Sequence, residues 1–96
     1  MTPPLYEAIG PDVEIALGTV LSAECRRLAV SPRCLAARGK FTLSLVQAVR
    51  RGRLQPNLAA FIVLAWSLHE DPRELFDKLL TQMQLHPGWR PALDVE

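Results

Sequence analysis

Segment 31–52 offers two places where a helix can start and two where it must stop, and this punctuation constrains the fold more than anything else in the chain. Ser31 presents a side-chain oxygen to the free amides of a first turn, and Pro32 takes the position where a missing amide hydrogen costs nothing. Gly39 ends that helix, because glycine readily enters the left-handed conformation that closes a C-terminus. Thr42 caps the next helix, in which Val46 and Val49 face inward three apart, and Gly52 closes it. The segment must therefore fold as two short helices meeting at a tight turn through Gly39, Lys40, Phe41 and Thr42.

The flanking sequence carries the same kind of signal. From Asp12, a candidate N-cap, Val13, Ala16, Leu17, Val20, Leu21 and Leu28 return on one helical face. Asn57 caps a fourth helix with Leu58, Phe61, Ile62, Ala65 and Leu68 as its apolar stripe. Asp71-Pro72-Arg73-Glu74 joins an N-cap, a proline at the first position and a carboxylate at the third, and starts a fifth helix carrying Leu75, Phe76, Leu79, Leu80 and Met83. Pro3, Pro4, Gly10 and Pro11 set residues 1–11 apart as an N-terminal arm, and Pro87, Gly88 and Pro91 set 84–96 apart as a tail. A chain of 96 residues that is 49% hydrophobic supports one modest core, here in residues 12–83. The expected fold is an all-α, compact five-helix bundle.

The net charge of +1 hides a separation. Arg26, Arg27, Arg33, Arg38, Lys40, Arg50, Arg51 and Arg53 all fall in a region, residues 25–68, that contains no acidic residue. A molecule polarised in this way presents one face to polyanions. No apolar run is long enough to span a bilayer and the start lacks the features of a signal peptide, so a cytoplasmic protein that needs no membrane is expected. Cys25 and Cys34 are then reduced, as small core or boundary residues. Enzyme chemistry is not expected. His69 and His86 form no metal-ligand spacing with the cysteines, no Gly-rich phosphate loop is present, and no nucleophile has a histidine at recognisable spacing. His69, after Leu68, suits the C-terminal end of a helix. No cofactor is implied.

Across residues 21–76 the chain resembles the phage-repressor/Cro (xenobiotic-response-element) helix-turn-helix family. The points of resemblance are Val30-Ser31, Leu35-Ala36, Thr42, Val46, Val49, Arg51-Gly52-Arg53, Pro56, Leu58, Leu64-Ala65, Leu68 and Glu74-Leu75-Phe76. The resemblance implies a lambda-repressor-like domain with a central helix-turn-helix. It also implies a homodimer that binds double-stranded DNA at a palindromic operator and regulates transcription, as a repressor, an autoregulator or the antitoxin of a toxin pair. Three departures stand out. Lys40 occupies the turn position usually held by glycine, so either the turn is built differently or Lys40 adopts a positive φ. Pro32 replaces a glutamine that touches phosphate. Cys25 and Arg50 occupy the places of a usual arginine–glutamate pair, which leaves Arg50 either to pair with Glu24 next door or to face solvent.

On this resemblance bases are read by Leu43, Ser44, Leu45, Gln47 and Ala48, of which only Ser44 and Gln47 carry hydrogen-bonding groups suited to base edges. Phosphates are met by Arg33, Arg38, Lys40, Thr42, Arg51 and Arg53, since neutralising phosphates requires only positive charges and donors set along a ridge. Trp66, Leu79, Met83 and Trp89 are the candidate dimer contacts. The alternative function is a helix-turn-helix scaffold whose apolar Leu43 and Leu45 bind a protein, such as a toxin or another regulator.

Overall fold

Local capping chemistry sets where four of the helices begin. The computed structural model describes residues 4–85, in which α1 spans Leu5–Leu28, α2 Pro32–Gly39, α3 Leu43–Arg50, α4 Leu58–Ser67 and α5 Pro72–Gln82. No strand occurs among the described residues. Ser31 Oγ accepts from the Cys34 amide at 3.1 Å, and Thr42 Oγ1 from the Leu45 amide at 3.1 Å. Asn57 Oδ1 accepts from the Ala60 amide at 2.8 Å, and Asp71 Oδ1 from the Arg73 amide at 2.8 Å. Each such cap stabilises its helix by about 1 kcal/mol. Glu74 makes no return bond to Asp71, so only half of the expected capping box forms.

The N-terminal arm expected over residues 1–11 is corrected by α1, which starts at Leu5 and carries Pro11 inside it, so Asp12 is no N-cap. Pro11 leaves the Glu7 carbonyl without its helical donor, but Glu7 is exposed and water can take that bond. The residue before a proline is normally pushed out of the helical region by its own Cβ, and here that residue is Gly10, which has none.

The C-termini close through left-handed residues. Ala29, Lys40 and His69 have φ of 55°, 57° and 59°, and the residues after them donate back into the helix: Val30 N–H to Cys25 O, Phe41 N–H to Ala36 O and Glu70 N–H to Ala65 O, all at 2.9 Å. Gly52, with φ 71°, closes α3 in the same way, and Arg53 N–H donates to Ala48 O at 2.9 Å. Lys40 does adopt the positive φ, and His69 caps α4 through its backbone.

The core is one cluster in which Leu17, Leu21, Leu35, Val46, Val49, Leu64, Leu68 and Leu75 are almost fully buried. It contains the α1 stripe read from Val13 to Leu28, and α2 and α3 each pack on it with two buried residues. The expected α4 stripe is rotated: Leu58 is exposed and Leu64 is at the centre of the core. Phe61 meets Phe76 edge-on, with ring centroids 6.0 Å apart.

A buried charge cluster ties α1 to α5. Glu24 receives Arg27 Nε at 2.7 Å and pairs with Lys78, while Glu70, at the corner between α4 and α5, receives Arg27 Nη2 at 3.0 Å and Lys78 Nζ at 3.1 Å. Glu24 is thus committed to Arg27 and Lys78, and the expected alternative of a Glu24–Arg50 pair is not formed. The Arg27 guanidinium holds the Glu24 carboxyl at about 2, helped by Lys78 and opposed by burial. Burial pushes the Glu70 carboxyl up, and Lys78 pulls it back only in part.

Candidate nucleic-acid interface

Two glycine contacts fix where α2, the turn and α3 sit. Gly18, in the middle of α1, faces the end of α3 so closely that a Cβ there would lie 2.7 Å from Gly52 N and 2.8 Å from Arg50 O. The backbones of α1 and the α3 terminus therefore touch directly. At the other end, Gly39 lies beneath the Phe41 ring and beside Ser67, and an added Cβ would come 2.6 Å from Phe41 Cδ2 and 2.8 Å from Ser67 Oγ. Gly39 thus supplies space for the turn, while Lys40 beside it supplies the left-handed residue. Arg38 Nη1 donates to the Ser67 carbonyl at 3.0 Å and fastens α2 to the end of α4.

On this scaffold the expected base-reading residues divide. Ser44 is exposed, and Leu43, Gln47 and Ala48 are partly exposed. Leu45 is also partly exposed, and its inner side packs against the core, because it lies four residues before the fully buried Val49 and so shares its face. Of the expected phosphate contacts, Arg33, Lys40, Arg51 and Arg53 are exposed. Arg38 is exposed but engaged with Ser67, and the Thr42 hydroxyl is engaged as the α3 cap.

The expected dimer residues fare differently. Trp66 is 61% exposed on α4, Leu79 is buried and so unavailable to a partner, and Met83 is partly exposed while packing against the core. Leu75 and Leu79 of the α5 stripe are buried because α5 packs directly on α1 and α4, whereas Phe76 stays exposed. Trp89 lies outside the described residues.

Arg50 makes no ion pair among the described residues and is half-buried. Its Nε is fully buried, without an acceptor among those residues. Burial pushes the Cys25 thiol up, and the Arg50 charge pulls it back in part. Sequence reasoning missed the cleft beside Arg50, lined by Arg26, Arg50 and Arg51 with Ser22, Thr19 and the Gly18–Gly52 contact. A lone glycine in an apolar helical stripe was the available signal, since such a glycine usually marks a close approach. No group of three or more His, Cys, Asp or Glu side chains suited to a metal lies among the described residues. No family model, curated protein or solved structure matches this chain.

Proposed function

We propose that this chain is a cytoplasmic, non-enzymatic DNA-binding regulator. In this reading α2 and α3 form a helix-turn-helix, α3 enters the major groove, and a homodimer sets two copies on a palindromic operator. The observation that carries the reading is that Arg33 of α2, Lys40 of the turn, and Arg51 and Arg53 after α3 are exposed, with Ser44 exposed and Gln47 partly exposed on α3, within a region devoid of acidic residues. Cations in that arrangement neutralise phosphates, and the two polar side chains between them have the chemistry to address base edges. Among the described residues no helix is long and apolar enough to cross a membrane.

The protein-binding alternative, through Leu43 and Leu45, would use two side chains that are both partly exposed, Leu45 also packing against the core. The dimer rests on exposed Trp66 as its apolar contact. The test is affinity for random and for upstream duplex DNA across a salt series. Four phosphate contacts per subunit give a slope of log K on log salt of about −3.6 per subunit, since each neutralised phosphate contributes about −0.9. A slope near zero, or no binding at low salt, refutes the proposal.

A further inference from the structure

The cleft between α1 and the end of α3 has the donors of an anion site. It encloses about 380 Å³ and is lined by Arg26, Arg50 and Arg51, with no carboxylate in its wall. None of the three arginines meets a carboxylate within 4.0 Å among the described residues, whereas Arg27, next in sequence to Arg26, binds both Glu24 and Glu70. Arg50 is half-buried at the wall, and its Nε–H has no acceptor among the described residues. Part of the wall is the Gly18–Gly52 backbone contact, where a Cβ at Gly18 would overlap Gly52 N and Arg50 O. Ser22 Oγ donates to the Arg50 carbonyl at 3.4 Å, which holds the α3 end against α1 and keeps Arg50 at the wall.

We propose that this cleft binds a phosphate group, held by the guanidinium groups of Arg26, Arg50 and Arg51. Three arginines converging without an acid repel one another, and a phosphate relieves that repulsion while offering oxygens for paired N–H donors. The phosphate can belong to a DNA backbone or to a small phosphorylated ligand. The site itself does not rest on the DNA-binding reading, because its donors are fixed by α1 and α3 alone.

The experiment is a pyrophosphate titration of the full chain, followed through the Arg50 Nε–H resonance, with sodium chloride at matched ionic strength as the comparison. The expected result is a saturable shift with pyrophosphate and none with chloride. Arg26→Gln and Arg51→Gln, both at exposed positions, should keep the wild-type melting temperature and each weaken pyrophosphate by about tenfold, the loss of one charged hydrogen bond. A non-saturating response, an equal response to chloride, or wild-type affinity in both variants overturns the site. Adding a short random duplex then identifies the source. Competitive displacement of pyrophosphate assigns the cleft to a DNA phosphate, and simultaneous binding, or binding in a protein that ignores DNA, assigns it to a small phosphorylated ligand.

Discussion

Replacing Gly18 with alanine sets helix propensity against packing, and the structure decides the sign. In an isolated helix the change gains about 1 kcal/mol, because glycine has more conformational freedom to lose. In this chain the new methyl would sit 2.7 Å from Gly52 N, 2.8 Å from Arg50 O and 3.0 Å from Gly52 Cα. All three are backbone atoms, so no side chain can swing aside. Restoring ordinary contact requires α1 and the α3 terminus to separate by about 0.7 Å. Forcing a methyl into a packed site costs about 1–3 kcal/mol, and a contact made wholly of backbone belongs at the upper end of that range. The net expectation is a loss of about 1–2 kcal/mol, or a fall in Tm of about 5–10 °C for a domain of this size. Thr19→Ala is the comparison. Thr19 is exposed and its hydroxyl only donates back to Ile15 O at 3.1 Å, so that variant gains about 0.5 kcal/mol from propensity. Thermal unfolding followed by far-ultraviolet circular dichroism measures both. A Gly18→Ala protein stabilised to the same degree as Thr19→Ala would show that α1 and α3 do not meet as described.

Three other outcomes are expected. Ala29→Gly should raise the urea midpoint, with a gain of about 1 kcal/mol, because Ala29 holds φ 55° at the end of α1 and a left-handed L-residue is strained by that order; an unchanged or lower midpoint counts against the cap. Glu24→Gln should lower Tm at neutral pH, and its deficit should shrink as pH falls from 4.5 toward about 2. The folded carboxyl titrates below its unfolded value, so its contribution is complete above 4.5 and is lost as pH falls through the folded value. Glu70→Gln, whose carboxyl burial pushes up, should show the opposite trend, and identical pH profiles for the two variants would refute the division of roles. Arg51→Ala with Arg53→Ala should weaken binding to every duplex alike and reduce the salt slope by about 2, whereas Gln47→Ala should remove only sequence preference, by about 1–3 kcal/mol in competition assays.

Helix starts were legible because they depend on side chains within three residues of the cap: Ser31, Thr42, Asn57 and Asp71 all act on the helix they precede. The start of α1 was not legible, because proline rules assume a carbonyl that must be satisfied inside the protein, and the one freed by Pro11 belongs to exposed Glu7. The charge cluster was hidden for another reason. Glu24 and Lys78 are 54 residues apart, and only the packing of α5 on α1 brings them together. Leu79 and Met83 could be placed on an apolar stripe from their spacing, but whether that stripe faces a core or a second subunit depends on what the rest of the chain packs against it. The cations of the candidate interface were legible as a cluster from their positions along the sequence, in a stretch without acidic residues. That Arg38 is engaged with Ser67, and that Arg50 is half-buried, follows from α2 lying on α4 and α3 on α1.

The central claim is that the face built by α2, the turn and α3 meets duplex DNA. Backbone amide shifts measured residue by residue during titration with a duplex test it most directly. The expected result is a continuous set of perturbed amides at Arg33, Lys40, Ser44, Gln47, Arg51 and Arg53, weakening together as salt is raised. Perturbations confined to the apolar surface around Leu58, Trp66 and Phe76, or none at low salt, would contradict it.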